Sequence, residues 1–377
     1  KEVIMRHHTI IYINILLSIF NLSCNKIETD SKCKNNSYEL QNTSYNNFKN
    51  IGLIPQNHPL HKGRDAIAFS DFSQDGTIDM FVATLTYSPS NSEDNASDSH
   101  FEFFIKDCNS NFVLDSSYTK NLNTCIHPRK ALVNDFNNDS IPDIFVVCHG
   151  YDSSPFPGEK NKIVLSNSLA NYSIFDASDD IGFFHSGSSY DYNKDGKLDV
   201  ILVDSKNSNK IIFLKNNGNG TFINEGSSRS PNSIKNKSYY TIEFIDIDGD
   251  SDLDMLLGGH EWEINSSTQI YKNPGNDNFS QVDPINLPSV VNEGVILDFI
   301  FTLNDSSSFL WVLRTSGGDG TFYKSRTIQK IEWPNLNSST PVLDRNLKWI
   351  PWIIPSKING KDVITSDNSY YNFTIEY

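Results

Sequence analysis

A nine-residue acidic phrase recurs four times, and no other feature of the chain constrains its fold so strongly. The copies are Asp71-Phe-Ser-Gln-Asp-Gly-Thr-Ile-Asp79, Asp135-Phe-Asn-Asn-Asp-Ser-Ile-Pro-Asp143, Asp191-Tyr-Asn-Lys-Asp-Gly-Lys-Leu-Asp199 and Asp246-Ile-Asp-Gly-Asp-Ser-Asp-Leu-Asp254. Each has an oxygen-bearing side chain at positions 1, 3, 5 and 9. Each runs on into an apolar stretch: Met80 to Ala83, Ile144 to Val147, Val200 to Val203, and Met255 to Leu257. Carboxylates packed this closely repel one another, and a hard cation such as Ca²⁺, which takes six to eight oxygen ligands, relieves that repulsion.

The candidate ligands follow from this spacing, with position 7 offering its backbone carbonyl. They are Asp71, Ser73, Asp75, Thr77 and Asp79 in the first loop, and Asp135, Asn137, Asp139, Ile141 and Asp143 in the second. The third loop offers Asp191, Asn193, Asp195, Lys197 and Asp199, and the fourth Asp246, Asp248, Asp250, Asp252 and Asp254. Up to four structural Ca²⁺ ions are expected. Gly76 and Gly196 at position 6 permit the positive φ that wraps the chain round an ion. An EF-hand is excluded, because it needs a Glu at position 12, where this chain has Val82, Val146, Leu202 and Leu257. The competing reading is a set of Asx-rich turns that bind no metal.

The first aspartates are spaced by 64, 56 and 55 residues (Asp71, Asp135, Asp191, Asp246). A fifth unit starts near Asp298 and has Asn304 to Ser308 in place of the acidic loop. A sixth starts at Trp352 and runs through Asn359 to Thr365. Late in the units comes a hairpin phrase: Val164 to Tyr172, Phe213 to Phe222 and Ile270 to Phe279. Each unit therefore reads as strand, acidic loop, strand and hairpin. That makes an all-β chain of four-stranded blades, the arrangement of a β-propeller. Six blades fit the length, or seven if a degenerate unit is present.

These loops, with the phrase Asn217-Gly-Asn-Gly-Thr-Phe222, resemble the FG-GAP/VCBS repeat family. Those calcium-loop propellers include the integrin α-subunit head and many bacterial surface proteins. The resemblance covers roughly residues 45 to 377 and weakens after about residue 290. It implies that the first strand of each blade lines the central channel and that the acidic loop joins it to the second. Closure of the ring would pair Asn46 to Ile51 with Tyr371 to Ile375.

The chain carries 46 Asp+Glu against 31 Lys+Arg, a formal net charge of −15. The four loops hold fourteen of those acids, so much of the acidity belongs to the loops. This balance excludes nucleic-acid binding, which needs basic patches. Residues 1–24 read as an export signal: Arg6-His-His, an apolar core from Ile10 to Leu22, then Ser23-Cys24. Ser-Cys resembles a bacterial lipobox, with Cys24 as the lipidated residue. The implied location is the bacterial outer membrane or cell surface, with a periplasmic or secreted protein as the alternative. Residues 25–44 read as a flexible tether and 45–377 as the propeller. Of the remaining cysteines, Cys108 and Cys125 are the favoured disulfide, with free thiols as the alternative.

No specific catalytic signature is present. The second blade departs from its siblings in chemistry, with His127, Arg129 and Lys130 before its acidic loop and His149, Tyr151, Asp152 and Glu159 after it. Strand ends at the same phase in different blades should converge on the channel mouth. There His149, His185, His260 and Arg129, with Tyr151 or Trp262 stacking on a sugar face, would suit an acidic, hydroxyl-rich ligand. Glu261 is a further candidate beside Trp262. The expected function is a surface-anchored, calcium-stabilised binding module, monomeric, for a glycan or an envelope protein partner. One alternative is a polysaccharide lyase or hydrolase using His127, Arg129, His149 and Glu159. The other is an assembly scaffold.

Overall fold

The computed structural model describes residues 66–377, apart from 87–97, 108–111, 120–122, 206–209, 236, 238, 264–265, 305–306, 347–348, 359–360 and 366–373. The expected signal, tether and lipidated Cys24 lie outside the described residues, as do Cys108 and Asn46 to Ile51.

Among the described residues, twenty-three strands form six antiparallel sheets in chain order. Blade 1 holds β1 (Ala66–Ser70), β2 (Asp79–Thr84), β3 (His100–Lys106) and β4 (Phe112–Leu114). Blade 2 holds β5 (Pro128–Asn134), β6 (Asp143–Cys148), β7 (Glu159–Ser168) and β8 (Asn171–Gly182). Blade 3 holds β9 (Phe184–Tyr190), β10 (Asp199–Asp204), β11 (Lys210–Asn216) and β12 (Phe222–Asn224). Blade 4 holds β13 (Tyr239–Ile245), β14 (Asp254–Gly259), β15 (Gln269–Tyr271) and β16 (Ile285–Asn286). Blade 5 holds β17 (Val295–Asn304), β18 (Ser307–Thr315), β19 (Arg326–Trp333) and β20 (Ser338–Asp344). The last sheet has three strands, β21 (Ile354–Ile358), β22 (Lys361–Thr365) and β23 (Thr374–Glu376).

The second strands show why the sheets stack into a ring. They are apolar without alternation and buried on both faces, as a strand sandwiched between two other sheets must be. Successive side chains point to opposite faces. Ile144 and Val146 of β6 therefore pack toward blade 1, while Phe145 and Val147 pack toward blade 3. In β10, Val200 and Leu202 face blade 2, and Ile201 and Val203 face blade 4. In β18, Leu310 and Val312 face blade 4, and Trp311 and Leu313 face the last sheet. Trp352, just before β21, packs among Ile67, Phe69, Met80 and Val82 of blade 1. It joins the last sheet to the first. β23 pairs with β22 inside the last sheet, and the N-terminal segment expected to close the ring lies outside the described residues.

Two details differ from the expected units. In blade 4 the strand after Tyr271 does not return at Phe279. Phe279 is buried in the interface with blade 3, and the fourth strand is the short β16. In blade 5 the first strand is longer, and β17 and β18 pair as far as Asn304 and Ser307, with no acidic phrase between them in the sequence.

Candidate functional site

The four acidic loops connect β1 to β2, β5 to β6, β9 to β10 and β13 to β14, and in each the ninth residue begins the second strand. Position 1 acts as a hub for the loop backbone. Asp71 accepts the amides of Asp75 and Gly76, Asp135 those of Asp139 and Ser140, Asp191 those of Asp195 and Gly196, and Asp246 those of Gly249 and Ser251. Position 5 accepts the amide two residues on, at Thr77, Ile141, Lys197 and Asp252. Positions 4 and 6 take positive φ in all four loops: Gln74, Asn138, Lys194 and Gly249, then Gly76, Ser140, Gly196 and Ser251.

Position 9 is buried and ties the loop to the third strand. Asp143 accepts the amides of Phe136 (2.8 Å), Asn137 (3.1 Å) and Ser166 (2.8 Å), and the Ser166 hydroxyl (2.8 Å). Asp79, Asp199 and Asp254 likewise accept the amides of Lys106, Asn216 and Asn273. Burial pushes Asp79, Asp143 and Asp199 up to about 7 and Asp254 up to about 6, against the lowering effect of these amides. In the fourth loop, ligand atoms of Asp246, Asp248 and Asp254 lie within 4.8 Å of one another. Gln74 donates to the Ser140 carbonyl and Lys194 to Asp252, so neighbouring loops also touch.

The opposite ends of the first strands surround a cavity of about 670 Å³. Its wall includes Ala66 and Ile67 of β1, Arg129 and Lys130 of β5, His185 of β9, Tyr240 of β13 and Val295 to Asp298 of β17, with Trp349 and Trp352 from the segment before β21. A first strand of about six residues separates this face from the acidic loops by roughly 20 Å.

Rings line the mouth in an arc from blade to blade. His127 and His149 have ring centroids 4.7 Å apart, and His149 Nε2 lies 2.9 Å from His185 Nε2. His185 meets the Tyr240 ring edge-on at 4.6 Å, Tyr240 stacks on His260 at 4.1 Å, and His260 stacks on Trp262 at 4.7 Å. Tyr323 lies beyond, 5.6 Å from Trp349. Burial first, then neighbouring positive groups including Arg129, hold His149 and His185 well below the usual imidazole value of 6.5. They are neutral near pH 7.

The second-blade residues divide into two groups. His127, Arg129, Lys130 and Asp152 line the cavity. Among the described residues nothing hydrogen-bonds or ion-pairs with the Arg129 guanidinium. Lys130 is engaged by Glu243 of β13, a contact that passes over blade 3 and so spans the channel. Glu159 serves as a clamp: its carboxylate accepts the amides of Ile126, His127 and Gly150. Tyr151 is buried against Leu85 and Ile126 and offers no face to a sugar. His149 is fully buried behind His127 and His185. Cys125 pairs with Cys148, correcting the expected Cys108–Cys125 bridge. That bond and the His149 amide donating to the His127 carbonyl (3.0 Å) hold both histidines in place.

Glu261 is likewise structural, held by Arg314 at 3.0 Å and the Thr268 hydroxyl at 2.5 Å. Trp262 is 36% exposed and lies over Gly317, where an added Cβ would come 2.2 Å from its ring. Sequence reasoning missed Tyr240, Tyr323 and Trp349. Tyr240 follows Tyr239 and Tyr323 follows Phe322 in a chain rich in aromatics, and no spacing marked these two or Trp349 out.

The FG-GAP-like repeat family matches residues 191–257, from the third acidic loop to the end of the fourth blade's apolar run. A curated relative, the T-cell immunomodulatory protein of Rattus norvegicus, is 26% identical over 232 residues, 59% of this chain. The chain spans about 35% of that relative's length. Among solved structures, a thermostable family-43 glycoside hydrolase aligns with TM-score 0.41 at 14% identity, covering 62% of this chain and 82% of its own. A Bombyx mori GH32 β-fructofuranosidase gives 0.37 at 10% identity, covering 76% and 59%. The Dos1 propeller gives 0.40 at 9% identity, covering 76% and 62%. Similarity at this level says nothing of activity. With its repeated acidic loops and six stacked sheets, the chain is a β-propeller that carries an FG-GAP-like repeat over residues 191–257.

Proposed function

We propose that the chain is a binding propeller that takes an acidic, hydroxyl-rich saccharide into the cavity at the channel mouth. The observation that carries this reading is Arg129, a cation facing a ring-lined cavity of about 670 Å³, within electrostatic reach of Asp152 but in no ion pair among the described residues. A guanidinium grips a carboxylate or sulfate bidentately. The volume falls within the range of small-ligand sites. Tyr240, Tyr323 and Trp349 supply flat faces for sugar rings.

On the opposite face we propose structural Ca²⁺ in the acidic loops. The donor sets are all oxygen, and their backbones are wrapped identically. The fourth loop, with three carboxylates within 4.8 Å, is the best formed. The ion would bridge the carboxylates at positions 1, 3 and 5 to the buried position 9. An exported, lipid-anchored protein at the cell surface is the setting in which such loops meet abundant Ca²⁺ and such a cavity meets glycans. No helix among the described residues is long and apolar enough to cross a membrane.

A saccharide-cleaving reading is favoured by the proximity of His127, His149 and Asp152. It is weakened by Glu159, whose oxygens are taken by backbone amides. The deciding experiment is an acidic-polysaccharide binding screen with the full chain in Ca²⁺, against Arg129→Ala. Ca²⁺-supported binding lost in the variant sustains the proposal, and new chain ends after incubation would convert it to catalysis. No binding by a folded protein overturns it in favour of a protein partner.

A further inference from the structure

The cavity holds a group of donors that saccharide capture through Arg129 does not use. Ligand atoms of His127, His149 and Asp152 lie within 4.8 Å of one another. Two of the three are imidazoles, buried to 3% and 0% exposure. Imidazole with carboxylate is a donor set for zinc-like dications rather than for Ca²⁺, which takes oxygen alone.

The tautomer is already set for this. His149 Nδ1 lies 3.2 Å from the Gly150 carbonyl oxygen. A carbonyl only accepts, so Nδ1 carries the proton and Nε2 presents its lone pair. Metal-binding histidines are oriented by an outer hydrogen bond of this kind. His185 Nε2 lies 2.9 Å from His149 Nε2 and, with that tautomer, donates its N–H to the lone pair, so metal binding would move this proton to His185 Nδ1 or to solvent. Nitrogens on a tetrahedral zinc ion, bound at about 2.0–2.1 Å, sit roughly 3.3 Å apart. His185 is therefore within a few tenths of an ångström of an edge of the same polyhedron.

The backbone is fixed independently of any ion. The Cys125–Cys148 bond, the His149-to-His127 backbone hydrogen bond and the three amides on Glu159 lock both histidine segments. A site whose ligands are held by their own supports loses little entropy on binding.

We propose that His127, His149 and Asp152, with His185 at the edge, form a transition-metal site for a zinc-class dication at the cavity mouth. Its remaining positions open toward the cavity. Arg129, which acts on both Asp152 and His149, opposes a bare dication but favours one that carries an anionic ligand. A carboxylate bridging the metal and Arg129 satisfies both charges.

The test uses the full chain, stripped with chelator and returned to saturating Ca²⁺ so that the acidic loops are occupied. Zn²⁺ is then titrated by calorimetry, and Co²⁺ is followed by its visible absorption, which reports nitrogen ligation. The expected result is one Zn²⁺ per chain. Asp152→Asn and His127→Gln should each weaken binding by more than the roughly 10–100-fold that loss of an outer-shell partner costs, and Asp179→Asn, at an exposed carboxylate outside both sites, should leave it unchanged. If His127→Gln does not fold, Asp152→Asn decides alone. No saturable Zn²⁺ binding, binding indifferent to Asp152→Asn, or binding lost in Asp179→Asn overturns the proposal. The readout is the metal itself, so failure of saccharide binding leaves this result standing, and the converse also holds.

Discussion

On one face of this propeller four loops repeat a single backbone; on the other, no two blades give the cavity the same set of side chains. The loop face is repetitive because its contacts are local. Asp71, Asp135, Asp191 and Asp246 each bond amides within five residues, so one phrase rebuilds the same turn wherever it occurs. The cavity face is assembled from distant residues. Blade 2 provides His127, Arg129 and Asp152, blade 3 His185, blade 4 Tyr240 and His260, and blade 5 Tyr323. Repetition marks where the fold is held, and divergence marks the face on which we propose that a ligand is read. Loops carry function when a rigid scaffold positions them, and here the scaffold and the candidate site lie at opposite ends of the same strands.

That contrast can be broken experimentally. The largest effect is expected on the loop face. Asp143→Ala removes a buried carboxylate that accepts four hydrogen bonds and should cost about 3 kcal/mol or more, since bonds to a charged group are worth roughly 1.5–3 kcal/mol each and are not additive. Denaturant unfolding measures this, and a loss under about 1 kcal/mol would show that the ninth residue does not clamp its blade. Next comes Cys148→Ser, which opens a link between residues 23 apart and should cost about 3 kcal/mol. It should also loosen His127 and His149, so stability and ligand binding fall together.

Arg129→Ala is expected to separate the faces. Saccharide binding should weaken by about 2 kcal/mol, as for a lost charge-assisted contact, while the melting temperature stays within about a degree of the parent. A large melting shift would make Arg129 part of the scaffold. Asp195→Ala should do the reverse, reducing the melting difference between Ca²⁺ and EDTA and leaving saccharide binding in Ca²⁺ intact. Equal melting of variant and parent in both conditions would remove the case for an ion in the third loop.

The smallest effect is a pH dependence belonging to the cavity face. Burial lowers His260 below its ordinary 6.5, against the raising influence of Glu263, and His185 and His149 shift the same way. Above about 6.5 the folded and unfolded chains both carry these groups neutral, and stability is unaffected. As the pH falls through 6.5 the unfolded chain takes up protons that the folded one resists, and stability declines. His260→Phe should flatten that decline between pH 7 and pH 5 in a melting series. An unchanged slope would mean that the imidazole is hydrated in the folded state.

Much of the architecture was legible because it is periodic. The acidic phrase fixed the turn between first and second strands, and the apolar runs after it fixed strands buried on both sides. Away from the phrase, legibility fell. In blade 4 the hairpin ending at Phe279 proved to be a longer excursion that buries Phe279 and delays the fourth strand to Ile285. The site was only partly visible. Unusual charge and imidazole content drew attention to His127, Arg129, Lys130, His149 and Asp152. That same signal included Glu159 and Tyr151, whose groups are absorbed by backbone amides and by apolar packing.

The sequence by itself determined the repeat, the antiparallel sheets and the wrapped acidic turns. Those depend on φ, on side-chain alternation and on hydrogen bonds that span a few residues. Only the tertiary structure decided which polar groups remain available. Lys130 is engaged by Glu243, 113 residues away, Cys125 chose Cys148, and Tyr240 came to lie between His185 and His260. These pairings depend on how far each blade turns relative to the next, and that rotation is set by the packing of whole sheet faces, not by the residues that finally meet.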